Sequence, residues 1–219
     1  MLNLRSCLKK TLLCLTVLAV AVVASGCRSD MALNSDMGPN SLKGKSIALF
    51  TLSTSNSYKT TFKPRVFAVE VATPGAGDPC KYAPDELPGF AGEAEGYLIS
   101  VEAQPGGSIV REVSGTASGP LICGRFAFPA DARFDVPKDS VTYVGHIDMV
   151  NRQRHGNEPR SGPITPLIDQ AVAGFSGGTF DIIITDKSAT DIPSFVQAYP
   201  CLRDVQIRKA IMKRQRPGT

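Results

Sequence analysis

The chain has 219 residues, with 24 Lys and Arg against 20 Asp and Glu, 42% hydrophobic residues and no tryptophan. Arg5, Lys9 and Lys10 fall in a leading apolar segment, so the remainder carries 21 basic against 20 acidic side chains. That balance excludes a global electrostatic case for nucleic-acid binding. The remainder is long enough for one domain with its own hydrophobic core.

Residues 1–26 read as a secretion signal: a positive n-region, an h-region of about a dozen residues from Leu12 to Val23, and small residues before a cysteine. A spanning helix needs roughly 20 apolar residues, so the segment is too short for a permanent span. Ala24-Ser25-Gly26-Cys27 resembles the lipobox of bacterial lipoproteins, with Ala24 where leucine is commonest. The resemblance implies that Cys27 is acylated on its sulfur, becomes the first residue after cleavage, and is acylated again on its amine. Two or three chains make attachment effectively permanent, because each buried methylene contributes about 0.8 kcal/mol. Arg28 follows Cys27 where an aspartate would retain the protein, which implies the outer membrane, facing the periplasm, with the inner membrane as the alternative.

Residues 27–43, rich in Ser, Asn, Asp and Gly and without an apolar period, predict a lipidated cysteine and a flexible tether of about 20 Å. From Ser46 the signals are those of strands: Ile47 to Leu52, Arg65 to Ala72, Gly96 to Glu102, Ile109 to Val113, Leu121 to Phe128, Ser140 to Val150 and Thr179 to Thr185. Each is short, β-branched or aromatic, and bounded by Pro, Gly, Asp or Ser. They predict a mostly β fold over 44–212, a single antiparallel β-sandwich of about seven strands. Pro74 to Gly92 reads as a long loop.

One or two short helices are expected near the C-terminus. Thr165-Pro166 would open one over Leu167 to Val172, and Thr190-Asp191-Ile192-Pro193 a second, with Phe195, Val196 and Tyr199 as its apolar stripe and Pro200 its stop. Residues 213–219 are expected to form a disordered basic tail. Arg203 to Arg216 concentrates positive charge, read either as solvated surface or as a contact with anionic headgroups or an acidic partner.

The succession Phe126-Ala127-Phe128, Phe134-Asp135-Val136-Pro137 and Thr142-Tyr143-Val144-Gly145-His146-Ile147, continued by Gly178-Thr179-Phe180-Asp181 and the Asp191-to-Pro200 helix, resembles bacterial lipoproteins with a transthyretin-like or carboxypeptidase-regulatory-like sandwich. The resemblance implies a noncatalytic β-domain and transfers no catalytic residues. The stretches 74–92 and 152–166 depart from it.

Several motifs bear on chemistry. Gly174-Phe175-Ser176-Gly177-Gly178 matches Gly-x-Ser-x-Gly, but a nucleophile elbow needs a strand before the serine and a helix after it, and here the order is reversed. Both histidines, His146 and His155, also precede Ser176. Gly44-Lys45-Ser46 resembles the end of a phosphate loop, yet its first glycine would fall on Pro39. His146 and Asp148, two apart in a strand, share one face, with Tyr143, Gly145, Ile147 and Met149 on the other. The pair reads as an acid–base couple, half of a metal site, or a commonplace pair on the wet face. Arg152, Arg154, His155 and Arg160 form a basic loop suited to an acidic partner.

Cys7 and Cys14 leave with the signal, so Cys80, Cys123 and Cys201 allow at most one internal disulfide. None lies in a Cys-x-x-Cys arrangement, so no metal or cofactor is expected. The functional expectation is a membrane-anchored envelope lipoprotein, held in the bilayer through acylated Cys27. Its expected role is a noncatalytic interaction or structural module with an envelope protein or the cell wall as partner. The alternative is a ligand-binding protein or weak hydrolase using loops 74–92 and 152–166.

Overall fold

Strict alternation along Cys123–Phe134 shows how the core is built. Phe126, Phe128, Ala130, Ala132 and Phe134 are buried, while Cys123, Arg125, Ala127, Pro129 and Arg133 face outward. Period-2 burial of this kind is the pattern of a strand with one dry and one wet face. The computed structural model describes residues 28–73, 75, 77–87, 95–104, 107–118, 122–163 and 172–215.

Two sheets face each other. The first has the order β1 (Arg28–Ser29), β4 (Cys80–Tyr82), β3 (Arg65–Ala72), β7 (Ser108–Ser118), β8 (Cys123–Phe134), β12 (Lys213–Arg214). The second has the order β10 (Gly178–Thr185), β9 (Val141–Gln153), β2 (Ile47–Asn56), β6 (Glu95–Glu102), β5 (Asp85–Glu86), with β11 (Ile207–Lys209) also pairing β9. The seven strands expected from sequence are all present, and the fold is the expected β-sandwich. Most pairings are antiparallel, but the central β2–β9 pair runs parallel. The stretch 74–92, read as loop, contributes the short strands β4 and β5 within its described part.

Between the sheets, Val69, Val110, Val113, Phe126 and Phe128 meet Phe50, Leu52, Ile99, Ile147 and Met149. Phe126, Phe128, Phe175 and Phe180 form an aromatic knot with ring centroids 5.0–6.2 Å apart. Each such ring contributes about 1.5–3 kcal/mol by burial, and favourable aromatic geometry adds to that.

Strand β2 is buried on both faces, which explains its near-continuous apolar run. Its second face, with Ile47 and Leu49, joins Leu98, Val141 and Tyr143 under a third layer. That layer is helix α1 (Ser188–Ala198) and a 3-10 turn at Pro200–Leu202, bringing Phe195, Tyr199, Cys201 and Leu202 onto the sheet. The helix begins two residues earlier than the Thr190 opening, because the Asp186 carboxylate accepts the Ser188 N–H at 3.0 Å. Of the other expected helix, residues 165–171 lie outside the described residues, and Val172 is in a turn.

Both ends of the described chain close the sandwich, and this corrects two expectations. Residues 28–43 are not a free tether. Strand β1 pairs with β4, then the Ala32 N–H donates to Ser100 O at 2.9 Å and the Leu33 N–H to Ser100 Oγ at 3.0 Å. The segment thus crosses from the first sheet to the second, with Ala32, Leu33 and Leu42 buried. Its polar composition hid these few apolar contacts. On the opposite side, residues 207–214 cross from β9 to β8: Ala210 and Met212 N–H groups donate to the carbonyls of Tyr143 and Val144, and Lys213 and Arg214 pair with Arg133 and Ala132. The start of the expected disordered tail is therefore an edge strand, and 216–219 lie outside the described residues.

Candidate functional site

The most concentrated chemistry lies on the outer face of the second sheet. In the parallel β2–β9 register Thr51 is opposite His146 and Ser53 is opposite Asp148. A bulge between Leu49 and Phe50 leaves Val144 without a partner and puts Gly145 at φ +118°. The extra residue resets the alternation. Tyr143 consequently joins the His146 face, contrary to the simple period-2 assignment, and packs in the cluster under α1. Helix α1 then supplies Asp191 from its first turn, and Lys187 lies just ahead of it.

The hydrogen bonds form one closed network. His146 Nδ1 is 2.6 Å from Thr51 Oγ1 and Nε2 is 2.9 Å from Ser53 Oγ. The Thr51 hydroxyl donates to Asp191 Oδ2, which also accepts from Tyr143 OH at 2.6 Å. The Ser53 hydroxyl donates to Asp148 Oδ1, and Lys187 Nζ reaches Asp148 Oδ2 at 3.3 Å. A hydroxyl carries one proton. Both hydroxyl protons are directed at carboxylates, and the imidazole closes the network between the two hydroxyl oxygens. The hydrogen bond from His146, then Ser53 and the Lys187 charge, hold the Asp148 carboxyl well below the usual carboxylate range, against the opposing effect of burial. Burial and the Asp191 carboxylate push the Tyr143 phenol far up.

This arrangement joins β2, β9 and α1. His146 is only 4% exposed and Ser53 only 3%, so of the His146–Asp148 pair, which the sequence also allowed on a wet face, only Asp148 reaches solvent, with 34% of its side chain exposed. The Ser53 proton points at the Asp148 carboxylate rather than at the imidazole. No group of three or more His, Cys, Asp or Glu side chains with metal-holding geometry occurs among the described residues.

The glycine-rich turn is a second closed network. Gly174 has φ +85°, and strand β10 follows Ser176, as the sequence order implied. Asn151 donates to Asn56 Oδ1 at 3.0 Å and to Gly174 O at 3.3 Å, while the Ser161 hydroxyl, with one proton to give, lies 3.0 Å from both Asn151 Oδ1 and Phe175 O. Ser176 is buried. These bonds satisfy a buried turn that would otherwise leave carbonyls unpaired.

The basic loop is brought together and then engaged internally. Arg152 forks onto Glu158 at 2.7 and 2.9 Å and reaches Asp181 at 2.8 Å. The Arg152 fork and the His155 N–H lower the Glu158 carboxyl to about 2. Arg154 Nε donates to Glu158 O, and Arg160 donates to Ser176 O. Nothing in the spacing of Arg152, Arg154, His155 and Arg160 signalled that Glu158 would organise them.

The three cysteines are free thiols and are not brought together. Cys80 lies on β4 and exposed Cys123 on β8, separated in the first sheet by β3 and β7, while Cys201 is buried under α1 against the second sheet. A surface cleft of about 260 Å³ lies at the start of β2, β9 and β11, between Lys45, Asp139 and Arg208. Sequence reasoning gave no sign of it, because it is assembled from three distant segments. In comparison with known proteins, the chain matches no family model and no curated protein.

Proposed function

We propose that this protein is a cell-envelope lipoprotein, anchored through acylated Cys27 in the outer membrane and facing the periplasm, whose β-sandwich is a noncatalytic module for binding an envelope protein or the cell wall. The observation that carries the noncatalytic reading is the closure of the His146 network, in which each hydroxyl and ring nitrogen is satisfied by a neighbour within the fold. The signal-like first 26 residues and the cysteine that follows them support the anchoring. The outer face of the first sheet supports the binding role. Its register rows run Arg65–Thr116–Arg125, Ala68–Ser114–Ala127 and Glu70–Glu112–Pro129. At its centre are the small side chains Ala68, Ser114 and Ala127, flanked by Phe67 at 53% exposure.

Photo-crosslinking in cells tests the reading, with probes at Phe67, Arg125 and Arg154 of the full-length protein. A single dominant protein or cell-wall adduct from the first-sheet probes is the expected result. Adducts scattered over envelope proteins, or labelling of Ser53 or Ser176 by a fluorophosphonate, would overturn it.

A further inference from the structure

The route of the chain out of the anchor carries a further inference, which rests on the lipidation of Cys27. Cys27 directly precedes Arg28, and one peptide link spans only about 3.8 Å between Cα atoms. Arg28 is already paired with Lys81 of β4. Residues 31–33 are then fixed to the second sheet through Ser100, with Met31 against the core between the sheets and Leu33 in the cluster under α1. No slack separates the lipid-bearing position from the folded domain.

We propose that the sandwich stands edge-on at the bilayer, with the side formed by β1 and β4 of the first sheet and β5 and β6 of the second resting against the headgroups. The opposite side, where β12 pairs with β8, then points away. In the first sheet β1 and β12 are the two ends of the order, five strand spacings apart, which places them about 24 Å from one another. The anchor and the basic C-terminal segment therefore leave from opposite edges. Contact of Lys213 and Arg214 with the headgroups of the same membrane is ruled out by this arrangement, and their charge is presented to the periplasmic side.

The membrane-side edge carries the exposed acids Asp85, Glu86 and Glu102; its Lys81 pairs with Glu70 at 3.6 Å, and Arg65 on the neighbouring β3 pairs with Glu86 at 2.7 Å. It is held by acyl chains rather than by attraction to anionic lipid, so its placement does not depend on salt.

The native sequence lacks tryptophan, so a single introduced one reports its own surroundings. The lipidated full-length protein, carrying Lys81→Trp or Lys213→Trp, is reconstituted in phosphatidylethanolamine and phosphatidylglycerol vesicles that contain a headgroup-nitroxide lipid. Both positions are exposed, so neither change disturbs the core. The expected result is flotation of both variants with the vesicles and quenching severalfold stronger for Lys81→Trp than for Lys213→Trp, at low and high salt alike. Flotation with equal or reversed quenching overturns the orientation and leaves the anchor intact. Failure of the wild-type protein to float overturns the anchoring itself, and the orientation falls with it.

Discussion

Thr51 stands directly opposite His146 across the parallel β2–β9 pair, and its hydroxyl links the imidazole Nδ1, at 2.6 Å, to the Asp191 carboxylate of α1. One short side chain thus ties the sheet's central pair to the third layer. Ser53 repeats the device on the other ring nitrogen, with Asp148 and Lys187 beyond it. The network does what an apolar contact cannot: it fixes one register and one helix position, because any other leaves charged groups unpaired.

His146→Ala removes the centre of this network. Thr51 and Ser53 then lose the ring nitrogens that join them, and the ring leaves a cavity under α1. We expect a loss of about 2–4 kcal/mol in unfolding free energy. Urea denaturation of a version without residues 1–27 measures it. A loss below about 0.5 kcal/mol, the range of neutral surface changes, would show that the imidazole is not structural.

Acid sensitivity follows from Asp148. Its folded carboxyl titrates below the ordinary value of 3.8, so the unfolded chain takes up the proton first as pH falls. The contribution is fully present above about pH 4 and is lost as pH drops toward the folded value. Glu158 and Asp186, each lowered to about 2 by hydrogen bonds from Arg152 and Lys209 respectively, add to the same limb from the surface. Asp148→Asn should flatten the fall in melting temperature between pH 5 and 2 partially rather than wholly. An unchanged slope would remove Asp148 from the account.

Gly145 is the residue that makes the bulge possible. At φ +118° an L side chain is strained, and its Cβ would sit 3.3 Å from Thr185 O. Gly145→Ala should cost about 1–3 kcal/mol. It should also disturb Tyr143 and Asp191, seen as a change in near-ultraviolet circular dichroism. Loss of stability without that spectral change would separate the bulge from the network.

How much of this was legible in the sequence depended on the physical range of each signal. The seven main strands were visible because alternation and bounding turn residues are local. His146 and Asp148 were correctly placed on a common face by the same rule. Tyr143 was misplaced because a bulge breaks the rule at Gly145, a glycine whose backbone requirement shows only once φ is known. Thr51 and Ser53 carried a faint signal, as polar residues alternating with Phe50 and Leu52 in an otherwise apolar strand. Asp191 could not be assigned, since its role depends on how a helix 40 residues later settles on the sheet. Residues 28–43 were misread because composition averages over a segment, whereas three buried side chains, Ala32, Leu33 and Leu42, and the bonds to Ser100 fix it.

Thiol reactivity provides an independent check on the layers. Cys123 is exposed, Cys80 is half-buried, and Cys201 is buried with its thiol pushed up by that burial. A maleimide titration of the native protein, read by peptide mapping, should modify Cys123 first, Cys80 more slowly, and Cys201 only after denaturation. Rapid native modification of Cys201 would mean that α1 lifts from the sheet, contradicting the closed network beneath it.

Leu33 decides whether the N-terminal segment belongs to the domain. It is 1% exposed, sits with Ile47, Leu49 and Leu98, and its N–H is held by Ser100 Oγ. If residues 28–43 were a tether, Leu33→Ala would be silent. As part of the sandwich, the substitution should cost about 2–5 kcal/mol through lost burial and the cavity left behind. Ser35→Ala, at an exposed position of the same segment whose hydroxyl bonds only Asp36, should change little and serves as the control. A thermal melt of both variants, each without residues 1–27, tests the pair. Equal melting temperatures would free the segment from the fold; a selective loss in Leu33→Ala would make it part of the sandwich.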